Sequence, residues 1–522
     1  MVTLKMRKTP PVTKQLALDV ATQATAVLQG TLSDEAFKPL RLSVGAHRQR
    51  QGDGYMVRIR IPGGRLSLAQ WLVAADVVHA HASRAHLTLR QDLQLYHVGL
   101  PELASAVAAL NRHGLSTYAS GGSSVRNVTA GILGDQDPRA FFDPYPYAAA
   151  LSARLSEHPL FNALPRKFKI GFAGPGPEEA QGWLNDLGFI ASHRDGFRGF
   201  RLIAGGGLGA SPQNGFEIEP FIPAQLSSAY AEAALEYFAE LSPKDKPLSN
   251  RFKFILRAQG VEQVQAEIRK RVVSKKPNEP FVSEPKPAGA TLWIETSVGD
   301  LSPAQMLGLG QALQKADAKE VRISFDQRLL IPGLHVSALP DLQDAIHTLG
   351  LTASFQRDPV RQVVCAGPDT CNRGLVNSKA LGRELGTLKL PVSLHISGCQ
   401  NGCSQHLIAP LSLQGTVRMG AQGRQPAYQL RVGRPLDSAG LKFGPVLLTV
   451  GARRVKPALE RLLEIWQDSA NDQGFEHWLE NRGSAGITHD LGPLLTVNGP
   501  DLERDCGTDK VFEVALGNSE CH

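Results

Sequence analysis

Alternating apolar and polar positions near the N-terminal end of the chain predict a small module of strands and helices. The segment 55–61, YMVRIRI, alternates with the period of two that is typical of a half-buried strand. Ser67 is placed to cap a helix that follows. The elements expected next are a helix at about 67–82, strands at about 85–90 and 93–98, and a helix at about 101–113. With a closing strand, this order is the ferredoxin-like arrangement.

The same pattern occurs a second time in the chain. LSPAQ, which begins at Leu301, matches LSLAQ, which begins at Leu66, at an offset of 235 residues. Farther on, Gln327 lies opposite Gln91 at an offset of 236, so one residue has been inserted. The elements expected in the second copy fall near 291–297, 302–315, 320–325, 329–334 and 338–349. An internal repeat of this size predicts two related halves that face each other across a pseudo-twofold axis.

The repeat extends beyond this module. VRNVTAG, with Arg126, lies opposite VRQVVCAG, with Arg361, and LPRKFKIG resembles the LPVSLHISG that precedes Cys399. The second copy therefore carries cysteines where the first carries basic residues. Between the copies, the Pro- and Lys-rich segment 274–289 is expected to be an exposed linker.

Composition describes an ordinary globular protein with a basic balance. Of its 522 residues, 42% are hydrophobic and 20% are charged, and the net charge is +7. A positive charge favours an anionic ligand or an acidic partner protein. The basic residues are scattered, which argues against nucleic acid. No apolar run is long enough for a membrane span or a signal peptide, so we expect a cytoplasmic protein.

Four of the six cysteines are concentrated in one short stretch. Cys365 and Cys371 form a C-x5-C pair, and Cys399 and Cys403 form a C-x3-C pair. Zinc sites usually separate paired cysteines by about two to four residues, so the wider spacer favours an iron–sulfur cluster. Zinc ligation and unrelated buried thiols remain alternatives, whereas disulfides do not suit a reducing cytoplasm. Outside this stretch, Cys506 and Cys521 are expected to be free surface thiols.

Basic residues cluster in the elements of the first copy. Arg58 and Arg60 alternate along one predicted strand, so both point to one face. Other cations follow at strand ends and in loops, namely Arg90, Arg126, Arg166, Lys167 and Lys169. Unpaired cations are costly within apolar patterns, which indicates a multiply anionic ligand in the first half.

These motifs together resemble the sirohaem-dependent sulfite and nitrite reductases. The matching segments are YMVRIRIPGGRLS, LTLRQDLQ, VRNV, LPRKFK, LIAGGGLG, CAGPDTC and HISGCQNGC, in family order over roughly residues 41–483. The resemblance implies an α+β fold of duplicated ferredoxin-like halves plus two α/β subdomains that bind sirohaem and a 4Fe–4S cluster, related by pseudo-twofold symmetry. The domains it implies are an N-terminal arm (1–40), a first ferredoxin-like half (41–118), a first sirohaem-binding domain (119–285), a second ferredoxin-like half (286–355), a domain for cluster and sirohaem (356–485) and a C-terminal tail (486–522).

The resemblance also implies a role for individual residues. The cluster ligands would be Cys365, Cys371, Cys399 and Cys403, and Cys403 would also bridge to the sirohaem iron. The substrate cradle would be formed by Arg58, Arg126, Lys167 and Lys169. Contacts with the macrocycle or its carboxylates would come from Thr88, Arg90, Gln91, Gln94, Arg166 and Asn401, with Arg251 and Lys253 as weaker candidates. Sirohaem is rich in carboxylates, which explains why its pocket requires many Arg and Lys side chains.

The implied reaction is the six-electron reduction of sulfite to sulfide, with electrons from a ferredoxin or a flavoprotein reductase. Lys169 favours sulfite over nitrite, because nitrite enzymes of the family tend to have Asn at this position. Alternatives are nitrite reduction at the same site, the related precorrin-3B synthase, and a zinc-stabilised scaffold protein without catalysis. One departure from the family concerns Tyr96, which stands where many relatives have His, with His97 next along.

Overall fold

The computed structural model describes residues 14–514 except 51–53, 175, 210, 243–249, 279–287, 421–422, 438–439 and 470–472, together with Gly517 and Glu520. The N-terminal arm and first half contain α1 (Lys14–Leu28), α2 (Asp34–Ser43), β1 (Ala46–Arg48), β2 (Tyr55–Ile59), β3 (Arg65–Ser67), α3 (Leu68–His81), β4 (Arg84–Leu87), β5 (Leu93–Val98) and α4 (Leu103–Arg112). The next unit contains β6 (Thr129–Ala130), α5 (Tyr145–Ser156), β7 (Ile170–Ala173), α6 (Ala180–Trp183), β8 (Leu187–Arg194), β9 (Phe197–Ala204), β10 (Phe216–Pro223), α7 (Ser227–Leu241), α8 (Phe252–Gln259) and α9 (Val261–Val272).

The second copy repeats this order. Its ferredoxin-like half contains β11 (Ala290–Glu295), β12 (Asp300–Leu301), α10 (Pro303–Lys315), β13 (Glu320–Ile323), β14 (Leu329–Leu334), α11 (Leu339–Thr348) and β15 (Thr352–Ser354). The last unit contains β16 (Gln362–Val364), α12 (Ser378–Leu385), β17 (Leu394–Ser397), β18 (Leu411–Gly420), β19 (Gly423–Arg431), β20 (Arg434–Asp437), β21 (Gly440–Lys442), β22 (Val446–Gly451), α13 (Val455–Asp468) and α14 (Phe475–Leu491). Within the described ranges, no helix combines the length and the apolar character needed to cross a bilayer.

The two ferredoxin-like halves exchange a strand. One sheet has the order β1-β2-β5-β4-β12, and the other has the order β15-β11-β14-β13-β3. Leu66 on β3 pairs with Val321 of the second half, and Leu301 on β12 pairs with Ala85 of the first. The residues that revealed the repeat in sequence are therefore the ones that join its two copies.

Local sequence explains where the equivalent helices begin. The Ser67 hydroxyl accepts a hydrogen bond from the backbone N–H of Gln70, and the Gln70 side-chain oxygen accepts one from the backbone N–H of Ser67. Ser302 forms the same capping box with Gln305. The helices α3 and α10 pack together, and the Trp71 indole donates to the carbonyl of Met306 over 3.3 Å. Apolar residues from both halves form one continuous core.

Two buried glutamines connect the halves to the α/β units in a symmetric way. The Gln91 amide donates to the carbonyls of Ala130 and Ile323 over 2.8 and 3.1 Å and accepts from the N–H of Ala130 over 2.9 Å. The Gln327 amide makes the equivalent bonds to Leu87 and to both backbone groups of Val364, over 2.8 to 3.0 Å. Both residues adopt the left-handed conformation, with φ of 59° and 63°. Each glutamine thus joins a strand of the opposite half to a strand of its own α/β unit.

The two α/β units are also equivalent. In the first, β6, β7 and β8 are parallel, and β9 and β10 continue the sheet antiparallel. In the second, β16, β17 and β18 are parallel and β19 and β22 follow antiparallel. Each unit has its own hydrophobic core.

The structure confirms the duplicated α+β fold and corrects two details. The edge strand of the first half is β1, which precedes β2, whereas a strand after the second helix was expected. Cys506 is buried at 1% exposure and donates to the carbonyl of Ala452, so it is not a surface thiol. Cys521 and most of the expected linker lie outside the described residues. The C-terminal tail packs back onto the molecule, where Glu520 forms an ion pair with buried Arg41 over 2.7 Å.

Candidate active site

A cavity of about 530 Å³ lies between the two copies, at the ends of their parallel strands. Its lining includes the four clustered cysteines from the second α/β unit and, from the first copy, a set of basic residues. The Arg and Lys residues that line the cavity from the first copy are Arg48, Arg58, Arg90, Arg126, Arg166, Lys167, Lys169, Arg251 and Lys253, and Arg373 lines it from the second copy. The pseudo-twofold arrangement thus brings thiols and cations to one site.

Two neighbouring loops place the thiols. Cys365 follows β16, and its backbone N–H donates to the carbonyl of Ile396 over 3.0 Å. Its sulfur accepts from the N–H of Gly398 over 3.1 Å, directly before Cys399 at the end of β17. Cys371 and Cys403 complete the cavity wall from the turns that follow. The parallel pairing of β16 with β17 therefore brings the two cysteine pairs together although 27 residues separate them in sequence.

The four thiols differ in exposure. Cys365 is buried, Cys371 and Cys399 are half-buried, and Cys403 is exposed. Burial raises the pKa of the Cys399 thiol, and the nearby sulfurs of Cys403, Cys365 and Cys371 raise it further. Neighbouring thiolates repel each other, and a bound metal centre relieves this repulsion because a coordinated cation favours the deprotonated form of each thiol.

The arrangement differs from that of a single-ion site. Among the residues that the structure describes, no group of three or more His, Cys, Asp or Glu side chains is placed to hold one metal ion. The thiols instead line part of a cavity with room for a larger group. This donor set fits an iron–sulfur cluster, which four cysteine thiolates hold around a cube of several atoms.

Two arginines of the cationic wall share one acceptor. A guanidinium N–H of Arg58 donates to the carbonyl of Ser120 over 2.8 Å, and one of Arg126 donates to the same oxygen over 2.9 Å. The Gln94 amide oxygen can accept from Arg58 over 2.9 Å while its nitrogen donates to the Tyr96 hydroxyl over 2.8 Å. Both guanidinium groups are therefore held rigidly at the cavity surface.

Arg60 does not belong to this wall. Its guanidinium donates to the carbonyls of Ala119 and Val125 over 3.1 and 2.7 Å and lies over the Phe161 ring at 4.7 Å. The strand alternation predicted that Arg58 and Arg60 share one face, but β2 ends at Ile59 and only Arg58 lines the cavity.

Two lysines and an arginine precede β7 in the LPRKFK segment. Burial holds the pKa of the Lys169 ammonium well below its ordinary value, and the nearby charges of Arg90, Lys167 and Arg251 lower it further. Burial also lowers the pKa of Arg166. An amine with such a depressed pKa exchanges protons more readily near neutral pH than an ordinary lysine does.

Further polar residues line the same cavity. Arg90 donates to the Asn185 side chain over 2.8 Å, and burial lowers its pKa to about 10. The Thr88 hydroxyl accepts from the N–H of Arg90 over 3.2 Å and so fixes the turn that carries it. Arg251 forms an ion pair with Asp186 over 3.0 Å. Asn401, between the last two cysteines, also lines the cavity.

The structure places one expected cofactor contact elsewhere. Gln91 does not lie on the cavity surface, because all its amide bonds go to the backbone of Ala130 and Ile323. Contact of Gln91 with the macrocycle was therefore a wrong expectation, and the residue instead joins structural units. All other site residues predicted from sequence line the cavity.

Sequence reasoning missed several lining residues. Asp92 is 6% exposed, and burial raises the pKa of its carboxyl group, while Arg58 and Arg90 oppose that shift. His47 and Glu520 come from opposite ends of the chain, so no local motif marks them. Tyr96 lines the cavity and His97 does not, since the His97 ring bonds to Ser83 over 2.7 Å.

Comparisons with known proteins agree with this geometry. The model of the nitrite/sulfite reductase ferredoxin-like half domain matches residues 47–113 and 285–349, which are the two halves described above. The model of the nitrite and sulphite reductase 4Fe-4S domain matches residues 121–276, the α/β unit of the first copy. The four cysteines lie in the equivalent unit of the second copy, outside that match.

Individual relatives extend over most of the chain. The sulfite reductase (NADPH) hemoprotein beta-component of Xanthomonas campestris pv. campestris is 27% identical, with 86% of this chain and 88% of the relative covered. The chloroplastic ferredoxin–nitrite reductase of Arabidopsis thaliana is 25% identical, with coverage of 72% and 70%. The solved structure of the Mycobacterium tuberculosis NirA protein superposes with a TM-score of 0.78 at 19% identity, covering 90% of this chain and 95% of that chain, which supports the fold.

Proposed function

Because the chain belongs to the nitrite and sulfite reductase family, we propose that its cavity binds a sirohaem and a 4Fe–4S cluster and reduces sulfite to sulfide. The main support for this proposal is that four thiols and a set of basic side chains line the same cavity. Cys365, Cys371, Cys399 and Cys403 would hold the cluster. Cys403 would also connect it to the haem iron.

The basic residues fit the cofactor's chemistry. The guanidinium groups of Arg90, Arg166 and Arg251 would bind its peripheral carboxylates, since Arg pairs well with carboxylates. Thr88, Gln94 and Asn401 would supply neutral contacts. When bound, the coupled centres supply electrons to a substrate at the iron.

The remaining cations suit a small oxyanion. Arg58 and Arg126, fixed on the Ser120 carbonyl, would hold the anion and stabilise negative charge as S–O bonds break. Each sulfite oxygen leaves as water and consumes two protons. Lys167 and Lys169 would deliver these protons, and the depressed pKa of Lys169 suits that role.

Sulfite is the preferred substrate in this proposal, and nitrite is the second candidate. Lys169 adds positive charge to the wall that already contains Arg58 and Arg126, which favours a dianion over a monoanion. Nitrite is favoured by a different observation, the similarity to a plant ferredoxin–nitrite reductase. The same cavity would serve both reactions with different efficiency.

Electrons would come from a separate donor protein. The net charge of +7 suits an acidic ferredoxin, because opposite charges speed the encounter of two proteins. A flavoprotein reductase is the alternative donor, in keeping with the NADPH named for the Xanthomonas relative.

The test is an assay of the purified holoprotein. It should absorb strongly in the Soret region, contain iron and labile sulfide, and form sulfide from sulfite with reduced methyl viologen. Cys403→Ser should abolish this activity, and Cys506→Ala, which changes a buried thiol outside the cavity, should retain it. A colourless protein with one zinc, or a coloured protein that reduces neither anion, would refute the proposal.

A further inference from the structure

We propose that His47 is a third contact for the anionic substrate, an uncharged one, which donates a ring N–H beside Arg58 and Arg126. This inference rests on the proposed function and assigns a role to a residue in the wall of the same cavity.

Strand register places the ring on the side of the cavity that holds Arg58. His47 on β1 pairs directly with Met56 on β2. Residues that pair across strands share a face, and so do residues two apart along a strand. Arg58 is two residues from Met56, so His47, Met56 and Arg58 share the face that lines the cavity.

The His47 ring has unused hydrogen-bonding capacity. The residue is 3% exposed, and apart from a contact with the backbone of Glu520 that falls outside ordinary hydrogen-bond geometry, its ring nitrogens have no partner among the described protein groups. The ring packs against Gly121, where any side chain would collide with it. Buried polar groups normally have a partner, so a ring that faces a cavity in this state indicates a ligand.

Charge keeps the ring neutral. Burial holds the pKa of His47 well below its ordinary value, and Arg58, Arg126 and Arg41 lower it further. The backbone carbonyl of Glu520 lies near the ring and opposes the shift without reversing it. A neutral imidazole presents one N–H donor and one acceptor, so His47 adds a donor to the cationic wall without adding charge.

The C-terminal tail fixes the strand that carries this ring. The Glu520 carboxylate accepts from the backbone N–H of Arg48 over 2.7 Å. The same carboxylate accepts two bonds from the fully buried Arg41 guanidinium, each 2.7 Å long. Strand β1 is therefore bonded to β2 on one side and to the Glu520 carboxylate on the other, which keeps the His47 ring oriented toward the cavity.

The experiment compares His47→Leu with His47→Gln in the holoprotein. Leu fills similar space without a donor, whereas Gln retains an N–H. Sulfite and nitrite are titrated into the oxidised protein and followed by the Soret shift, and KM and kcat are measured with reduced methyl viologen. The dissociation constant should rise about tenfold or more in His47→Leu and by only a few-fold in His47→Gln. His113→Leu, which removes an exposed ring from the end of α4, should bind as the wild type does.

The outcomes separate the two claims. A wild-type holoprotein that binds and reduces neither anion would refute the proposed function itself. An active wild type with unchanged binding in His47→Leu, or with equal weakening in both variants, would overturn the contact proposed for His47. If His47→Leu does not retain its cofactors, His47→Met replaces it in the comparison with His47→Gln, and the same two results decide.

Discussion

Replacing Gln91 by Met should destabilise the whole pair of ferredoxin-like halves. Gln91 is fully buried and makes three hydrogen bonds to the backbone of Ala130 and Ile323. Met retains the length and the apolar stem of Gln but can neither donate nor accept those bonds. Each lost bond costs about 1 kcal/mol net, and a buried group left without a partner costs about 1–3 kcal/mol. We therefore expect the free energy of unfolding to fall by roughly 3–5 kcal/mol.

The assay is urea unfolding followed by tryptophan fluorescence, since Trp71 lies in the core shared by both halves. Gln314→Met, on the exposed side of α10, is the matched control and should change the free energy by less than about 0.5 kcal/mol. The symmetric variant Gln327→Met should cost a similar amount. If Gln91→Met lost less than about 1 kcal/mol, the view of these glutamines as connections between units would be wrong.

Three further predictions concern the site, the tail and pH. Lys169→Asn should lower kcat/KM for sulfite more than for nitrite, as measured with reduced methyl viologen, and an unchanged ratio would contradict the role given to its charge. Glu520→Ala should lower the free energy of unfolding, measured by denaturant, by about 3 kcal/mol or more. The substitution removes one of the two described carboxylates that pair with the buried Arg41 guanidinium and leaves only Asp34. Burial raises the pKa of Glu178 to about 7, above its unfolded value of 4.5. The unfolded chain therefore loses this proton at lower pH than the folded protein does, and the free energy of unfolding falls as the pH rises from about 4.5 to 7. Glu178→Gln should therefore stabilise the protein more at pH 8 than at pH 4, and a difference of the opposite sign in thermal unfolding would refute this.

The sequence was sufficient to predict most of the local structure of the two ferredoxin-like halves. The capping residues Ser67 and Ser302 marked helix starts that the structure places one residue later, because strong N-caps act locally. Strand alternation likewise located β2, β5 and β14. The spacing of the repeat revealed the duplication, since equivalent units conserve the same pattern of polar and apolar positions.

What sequence could not predict depends on contacts between distant segments. The exchange of β3 and β12 requires knowing which sheet edge lies beside each strand, and periodicity does not contain that information. The edge strand β1 is only three residues long, too short for an alternating pattern.

The same limit applies to the candidate site. The cysteine pairs and the Arg and Lys residues were found because their motifs are compact. His47 and Glu520 were missed because 473 positions separate them, and only the folded chain brings both to one cavity. Gln91 was assigned to the cofactor through the family resemblance of its motif, whereas in the structure its amide bonds to the backbone of other strands.

The ratio of electrons consumed to sulfide formed decides whether this cavity carries out the six-electron reduction of sulfite. Purified holoprotein is supplied with limiting sulfite and reduced methyl viologen, and both the oxidised viologen and the sulfide are quantified. Six viologen radicals should be oxidised for each sulfide released, and Cys403→Ser should release none. Viologen oxidation without sulfide, or full activity in Cys403→Ser, would contradict an enzyme that joins a thiol-held cluster and a cationic cradle in one cavity.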